Sequence, residues 1–199
     1  MTERPTIDRL VVASKNEDKI SEIEAVLVEQ GFVGEIIRGL AWSDVEESGA
    51  TLEENALLKA RAVMAATGLP ALADDTGLEV DSLGGAPGVQ TARFAGPTAT
   101  YQENVAKLLA TMAGVSERRA TFRTVMALVW PSGKELMAEG QLGGTIATDP
   151  RGEFGFGYDP IFEVGQETLG ELEIEVKNKV SHRAQAIRAL ATKLRALDS

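Results

Sequence analysis

The first third of the chain alternates an apolar run with a stretch of helical periodicity. Residues 10–13 form a short apolar run, and apolar side chains then recur every three or four positions from Ile20 to Leu27. Gly31 follows at the place where a glycine with a left-handed backbone commonly ends a helix. The pattern therefore predicts a strand, a polar turn and a first helix.

A second helix is predicted over residues 52–67. Thr51 and Glu54 match the capping box, in which each side chain binds a backbone N–H group at the other position. Lys59 falls on the apolar stripe of this helix, with Asn55 one turn before it. A lysine in that place either extends its aliphatic stem towards water or lines a cleft, and the sequence leaves both open. The stripe itself consists of Leu52, Ala56, Ala60 and Val63.

Shorter elements follow. Residues 71–73 predict a short buried strand that ends at Asp74, and then come a brief extended piece over 78–81 and a loop over 84–88. Because strands alternate with helices at first and a hairpin follows, the expected fold is mixed α/β rather than a purely parallel sheet. The remaining predicted elements are a helix over 101–112, hairpin strands over 119–130 and 134–142, and a last helix over about 183–197.

Length and composition are those of an ordinary globular protein. The chain has 199 residues, of which 44% are hydrophobic and 25% charged, enough for one compact domain or two small lobes that share a cleft. No apolar run approaches the roughly 20 residues of a membrane-spanning helix, and residues 1–9 lack the pattern of a secretory signal. We therefore expect neither feature. The absence of cysteine excludes disulfides and fits a reducing cytoplasm.

The charge balance is acidic. Thirty acidic and 20 basic residues give a net charge of −10, which argues against a general nucleic-acid binder because phosphate contacts need a basic face. A small phosphorylated ligand held by a few lysines remains compatible with it. The excess carboxylates either hold a divalent cation or simply lie on the surface.

The polar turn before the first helix is the first candidate site. Such a turn directs backbone N–H groups and the positive end of the helix to one point, which suits a phosphate. The glycines of a P-loop or a dinucleotide fingerprint are absent, so an ordinary solvated loop is the other interpretation. The turn comprises Ser14, Lys15, Asn16, Glu17, Asp18 and Lys19.

A pair of adjacent carboxylates, Asp74 and Asp75, is the second candidate. Ligand sites of α/β sheets gather at the carboxyl ends of strands, and adjacent carboxylates are stable where a cation shares their site. Side chains of neighbouring strand residues diverge, so we expect one of the two to face a metal and the other to face the surrounding protein. A plain acidic turn is the alternative. Further carboxylates upstream are Glu46, Glu47 and Glu54.

Two later segments carry further polar chemistry. Residues 154–160 combine aromatic residues with glycines, which suits stacking on a purine, with Asp159 accepting from a ring N–H group; a structural bend is the alternative. The basic segment 177–183 is expected to start the last helix, with Ser181 as a plausible N-cap. Basic groups are unfavourable at the positive end of a helix, so an electron-rich ligand would offset them there.

With these residues in place, the chain resembles the inosine/xanthosine triphosphate pyrophosphatase family nearly end to end. Five ordered motifs carry the resemblance. They are Glu54-Asn55-Ala56 with Lys59-Ala60, Leu72-Ala73-Asp74-Asp75-Thr76-Gly77-Leu78, Gly84-Gly85-Ala86-Pro87-Gly88 with Ala92-Arg93-Phe94-Ala95-Gly96, Phe156-Gly157-Tyr158-Asp159-Pro160-Ile161-Phe162 and Ser181-His182-Arg183.

The resemblance implies a two-lobed mixed-sheet α/β fold with a central nucleotide-binding cleft, formed by residues 1–199 as a single domain. It also implies a cytoplasmic homodimer that uses Mg²⁺ and cleaves ITP, dITP and XTP between the α- and β-phosphates. Removing these triphosphates keeps deaminated purines out of DNA and RNA. No membrane and no stable nucleic-acid partner are expected.

Roles for individual residues follow from the same resemblance. Asp75 is the general base and a metal ligand, and Glu47 is the other metal ligand. Residues 14–19 and Lys59 bind the triphosphate, and Thr76 belongs to the substrate-binding set with its hydroxyl in place of the family's usual serine. The resemblance places Phe156, Gly157, Tyr158, Asp159, Lys177, His182 and Arg183 at the base.

The first turn departs from the family pattern, because Lys15 stands where a glycine is usual. Two other functions stay open. One is a related pyrophosphatase for pyrimidine or modified nucleotides. The other is a non-catalytic module that binds nucleotides or RNA, which the retained carboxylates and the acidic net charge both disfavour.

Overall fold

The structure is a computed structural model, and it describes residues 7–197. The expectation of no secretory signal rests mainly on residues 1–6, which lie outside this range. The helices of the described part are α1 (Glu17–Gln30), α2 (Leu52–Thr67), α3 (Tyr101–Thr111), α4 (Ile174–Val180) and α5 (His182–Leu197). The strands are β1 (Ile7–Val12), β2 (Val33–Ile37), β3 (Ala71–Val80), β4 (Pro87–Gly88), β5 (Arg119–Val129), β6 (Glu135–Ile146), β7 (Phe162–Val164) and β8 (Glu167–Thr168).

The strands form one mixed sheet. Its order is β2-β1-β3-β5-β6-β7-β8, and β4 pairs with β3 beside this path. Strand β1 runs parallel to β2 and to β3, whereas β4, β7 and β8 pair in antiparallel fashion. Parallel strands joined by helices and an antiparallel remainder confirm the predicted mixed α/β class. The single domain of two lobes with a central cleft stays a prediction.

The chain divides into two compact units, each with its own apolar core. The first unit comprises the residues up to 75, residues 124–140 and the residues from 182 onward, and the second comprises 76–123 and 141–181. In the first, Leu27 and Ile23 of α1 pack in one cluster with Leu190 of α5. In the second, the rings of Phe122 and Phe162 lie 4.5 Å apart between centroids within the core.

Local capping explains why the first two helices begin and end as the sequence predicts. The side chain of Asn16 caps α1, and Gly31 ends it with φ of 66°. Thr51 and Glu54 form both bonds of the predicted capping box at α2, and Gly68 ends that helix with φ of 68°. Helix α3 and the β5–β6 hairpin also lie close to their predicted ranges.

The prediction of a short strand ending at Asp74 is wrong. Strand β3 continues for ten residues from Ala71 to Val80, so Asp74 and Asp75 lie within it rather than at its end. The sequence predicts an end of the strand here because acidic residues and glycine are rare inside strands. Here both carboxylates are buried among cations, which removes the reason for a turn. Residues 87–88, predicted as part of a loop, pair with β3 as β4.

Helix α4 was not predicted, and it corrects the interpretation of the basic segment. Lys177 and Lys179 lie in the last turn of α4, where the negative end of the helix favours cations. They do not lie at the start of the last helix, which begins at His182. Within residues 7–197, no helix is long and apolar enough to cross a membrane.

Candidate active site

The predicted phosphate turn joins β1 to α1. The Oδ1 atom of Asn16 accepts hydrogen bonds from the backbone N–H groups of Asp18 (3.0 Å) and Lys19 (3.2 Å), and Ser14 Oγ accepts from the N–H of Asn16 (3.1 Å). Two N–H groups at the helix start are therefore bound by the turn's own side chain. Lys15 Nζ lies 2.5 Å from Asp44 Oδ1 on the exposed surface.

Asp74 lies at the centre of a buried charge cluster. Its Oδ2 atom is 3.1 Å from Lys19 Nζ and 3.3 Å from an Arg183 guanidinium nitrogen. Arg183 also donates to the buried carboxylate of Glu22. Burial disfavours the charged form of Asp74, but the surrounding cations outweigh it and hold the pKa well below its usual range. Asp74 is therefore ionised at neutral pH, and its charge is matched by protein cations.

Asp75 has a different set of partners. Its Oδ1 atom accepts from Lys59 Nζ (2.7 Å), and its Oδ2 atom accepts from Asn55 Nδ2 (3.4 Å). Lys59 Nζ also donates to Glu47 Oε1 (2.8 Å). Burial raises the pKa of Asp75, an effect that Lys59 only partly offsets, and a raised pKa makes a carboxylate a stronger proton acceptor.

The structure shows which of the two predicted positions Lys59 takes on its helix. Its ammonium group is largely buried and lies between two carboxylates, so it lines a site rather than extending into water. Burial alone would lower the pKa of Lys59, but Asp75, Asp74 and Glu47 together raise it. Lys59 is therefore a permanently charged group beside Asp75.

The two aspartates thus diverge as a strand requires. Neighbouring residues of a strand point to opposite faces. Asp74 forms ion pairs with Lys19 and Arg183. Asp75 accepts hydrogen bonds from Lys59 and Asn55. One carboxylate is fixed by the protein's own ion pairs, and the other belongs to the group that contains Glu47.

The donor set around Asp75 suits Mg²⁺. Glu47 and Asp75 converge on one positive charge, the Lys59 ammonium, and both offer hard carboxylate oxygens. Among the described residues, no group of three or more histidine, cysteine, aspartate and glutamate side chains could hold a metal. Magnesium needs no such group, because one or two carboxylates, water and phosphate oxygens usually complete its shell.

The predicted base-binding residues of the second unit form a separate cluster. Asp159 Oδ2 accepts from the backbone N–H of Phe156 (2.8 Å) and from the buried Lys177 ammonium. The Lys177 Nζ atom lies 4.8 Å from the centroid of the Phe156 ring, a cation–π distance. Gly155 has φ of 73°, and a Cβ there would lie 2.2 Å from the Asp159 carboxylate. The glycines of this segment therefore let the backbone wrap around Asp159.

The roles predicted for Tyr158 and Thr76 in substrate binding stay predictions. The buried Tyr158 hydroxyl donates to the backbone oxygen of Thr91 (2.9 Å), and burial raises its pKa. Thr76 lies half-buried in β3. Gly157, with φ of 65°, continues the irregular segment after Phe156.

His182 and Arg183 belong to the first unit. His182 Nδ1 is 2.6 Å from Thr124 Oγ1, and both groups are buried. Arg183 is likewise buried, between Asp74 and Glu22. These carboxylates offset the unfavourable position of Arg183 at a helix start, so the position alone does not require a ligand. Its implied role at the base stays a prediction.

The sequence model of the Ham1 family matches residues 10–193, nearly the whole chain. The chain belongs to the Ham1 family. A relative from Geobacter sulfurreducens named dITP/XTP pyrophosphatase is 48% identical over 187 residues, which cover 92% of this chain and 94% of that protein. Another of the same name from Streptomyces avermitilis is 45% identical over 196 residues and covers 95% and 98%. These matches confirm the resemblance carried by the sequence motifs.

A solved Ham1 structure supports the fold. The Staphylococcus aureus Ham1 protein superposes with a TM-score of 0.83 at 38% identity, covering 96% of this chain and all of that chain. The mixed α/β sheet described above is therefore also found in an experimentally determined member of the Ham1 family.

Sequence reasoning missed several residues of this Ham1-family chain. Glu22 accepts a hydrogen bond from Arg183, which lies 161 positions later in the sequence. No local pattern links the two residues. Tyr101 was seen only as a helix start, yet its ring lies 5.8 Å from that of Phe156. Both rings line a cavity of about 400 Å³ together with Val105 and Leu109. Asn55 belongs to one of the family motifs, yet the sequence assigns it no role.

Proposed function

We propose that this chain hydrolyses the deaminated purine nucleoside triphosphates ITP, dITP and XTP to the monophosphate and pyrophosphate. The observation that carries the proposal is the buried Asp75 carboxylate, held by Lys59 and Asn55 in a group that contains Glu47. The names of the relatives at 45–48% identity, dITP/XTP pyrophosphatase, support the substrate. Such hydrolysis removes deaminated purines from the nucleotide pool.

In this reaction Asp75 orients a water molecule and accepts its proton as the water oxygen attacks the α-phosphorus. The bond from the α-phosphorus to the bridging oxygen breaks, and pyrophosphate leaves with the electron pair. Lys19 and Lys59 stabilise the charge on the phosphate oxygens, together with the turn over residues 14–18. Both lysines are already anchored beside the carboxylates, so little reorganisation is needed.

Mg²⁺ is the proposed cofactor, with Glu47 and Asp75 as its protein ligands. Their convergence on the single Lys59 charge supports this assignment. When bound, the ion neutralises phosphate charge and acts as a Lewis acid towards the phosphates.

The Phe156 cluster is the proposed base site. A purine ring stacks on Phe156, while Gly157, Tyr158 and Asp159 shape the segment around it. The Lys177 ammonium donates hydrogen bonds only, so it pairs with a 6-oxo group but not with the 6-amino group of adenine. His182 and Arg183 complete the proposed set, as the family resemblance implies.

The family resemblance also supports a homodimer. The lack of cysteine in the sequence supports a cytoplasmic location, and the net charge of −10 supports the absence of a stable nucleic-acid partner.

A panel of triphosphates tests the proposed function. Pyrophosphate release from ITP, XTP and dITP should need Mg²⁺ and should exceed release from ATP by about 5- to 150-fold in kcat/KM, because an unpaired buried donor costs about 1–3 kcal/mol. UTP and dTTP belong in the same panel. Faster release from either pyrimidine would favour the related pyrophosphatase instead, and no release from any of them would leave only a binding module.

Lys19→Met should weaken the binding of ITP by about 10- to 150-fold, because a hydrogen bond to a charged group contributes about 1.5–3 kcal/mol. Binding of inosine, which has no phosphates, should change less than about twofold. Titration calorimetry in an Asp75→Asn background measures both affinities without turnover.

Lys193→Met is the matched control for this variant. Lys193 donates to the backbone oxygen of Met137 on the exposed surface (2.7 Å), so its loss should affect neither ligand. Equal losses of ITP and inosine binding in Lys19→Met would show that Lys19 serves the fold rather than the phosphates.

A further inference from the structure

Asn55 is a buried polar residue that the reaction described above does not use. It is the fourth residue of α2, and none of its surface is exposed. A buried amide is stable only when its carbonyl oxygen and its NH₂ group both find partners. The partners of Asn55 therefore show what this side chain holds in place.

Its two ends reach two different parts of the candidate site. Asn55 Oδ1 accepts from the backbone N–H of Gly49 at 2.8 Å, and Asn55 Nδ2 donates to Asp75 Oδ2 at 3.4 Å. Because Lys59 donates to the other oxygen, Oδ1, each oxygen of the Asp75 carboxylate has its own donor. Two donors on opposite oxygens restrict rotation of the carboxylate about its Cβ–Cγ bond.

The hydrogen bond from the Gly49 N–H group also holds the segment that carries the second carboxylate, Glu47. Gly49 lies two residues after Glu47, which shares the Lys59 ammonium with Asp75. A Cβ on Gly49 would lie 2.7 Å from Asn55 Oδ1 and 2.6 Å from the Glu54 Cβ atom. The backbone at Gly49 thus packs directly on α2, and it can do so because the residue has no side chain.

We propose that Asn55 is a positioning residue, which fixes the Asp75 carboxylate and the segment from Glu47 to Gly49 in one arrangement. It acts through these groups and does not touch the substrate. The inference rests on the proposed function, because the groups that it positions are the proposed base and metal ligands. A misplacement of about 1 Å at a reacting group can lower a rate on the order of 100-fold, so the effect should appear in kcat.

Asn55→Ala tests the inference, with Asn104→Ala as the matched control. Asn104 is equally a buried helical asparagine, 2% exposed, that ties a loop to its helix through the N–H of Ala95 (2.8 Å) and the carbonyl of Ala92 (3.1 Å). Both variants should lose similar stability in urea unfolding. Only Asn55→Ala should lower kcat for ITP, by about 10- to 100-fold, with KM within about threefold of the wild type at saturating Mg²⁺.

Asn55→Asp separates the two hydrogen bonds and decides the question if the alanine variant does not fold. The aspartate keeps an oxygen for the Gly49 N–H group but replaces the amide donor to Asp75 with a second acceptor. Hydrogen exchange at the Gly49 amide should stay protected, while kcat falls at least 10-fold. A kcat within about threefold of the wild type in Asn55→Asp would overturn the link to Asp75.

The outcomes also distinguish this inference from the proposed function. If the wild-type protein releases pyrophosphate and Asn55→Ala is as active as Asn104→Ala, only the role of Asn55 is overturned. If the wild-type protein releases no pyrophosphate from any triphosphate of the panel, the proposed function is overturned and this inference with it.

Discussion

Asp75→Asn should lower kcat for ITP by about 10²- to 10⁴-fold, because loss of a general base typically has an effect of that size. The fold should survive. The asparagine keeps the shape of the side chain, and Glu47 remains as a partner for the buried Lys59 ammonium. Pyrophosphate release and thermal unfolding of the purified variant check the two halves of this prediction.

Retention of more than about a tenth of the wild-type kcat would contradict the role of Asp75. A large drop in the melting temperature of Asp75→Asn would contradict the expected survival of the fold, and the loss of kcat could then not be assigned to the base alone. The neighbouring aspartate provides the comparison for both measurements.

Asp74→Asn should mainly affect stability, in contrast to Asp75→Asn. Its free energy of unfolding should fall by about 3–5 kcal/mol, as expected when one partner of a buried ion pair is removed. Asp74 is buried and carries the charge that Lys19 and Arg183 face. The melting temperature should fall on the order of 10 °C for a chain of this size. Urea unfolding of both asparagine variants side by side measures the difference, and a loss below about 1 kcal/mol in Asp74→Asn would refute the assignment.

The contribution of Asp74 to stability should depend on pH in a defined direction. Its pKa is lower in the folded protein than in the unfolded chain, so the unfolded state takes up a proton first as the pH falls. The contribution is therefore fully present above the ordinary carboxyl pKa of about 3.9 and is lost below it. The stability difference between the wild type and Asp74→Asn should shrink as the pH falls through this range.

Local signals in the sequence were sufficient for the first two helices. The capping box at Thr51 and Glu54 and the glycines after α1 and α2 act within a few residues, so they can be read without knowing the fold. Helix α4 gave no such signal. Its apolar residues Ile174, Val176 and Val180 are exposed rather than packed on one buried face, so a search for an apolar stripe passes over it.

Long-range pairing explains the main error in the fold. Asp74 and Asp75 look like a turn because carboxylates are rare inside buried strands. In the structure these carboxylates lie inside β3, where they pair with Lys19 of α1, Lys59 of α2 and Arg183 of α5. Residues so far apart in sequence are brought together only by the fold, so no local pattern predicts their pairing.

The candidate site was predictable as a set of residues but not as an arrangement. The family resemblance identified Asp75, Glu47 and Lys59, which the structure brings together. It also placed Arg183 at the base, which stays a prediction, but it gave no sign of the contacts of this side chain with the carboxylates of Asp74 and Glu22. Charge alone does not tell whether a cation faces a ligand or a buried acid, and that difference becomes visible only with the partners in place.

Hydrolysis of ITP in water enriched in ¹⁸O tests the central claim most directly, since it shows which phosphorus is attacked. If Asp75 directs water to the α-phosphorus, the products are inosine monophosphate that carries one ¹⁸O atom and pyrophosphate that carries none. Mass spectrometry of both products reads the label, and Asp75→Asn should give neither product at a comparable rate. Label in the pyrophosphate, or formation of inosine diphosphate and orthophosphate, would contradict the account.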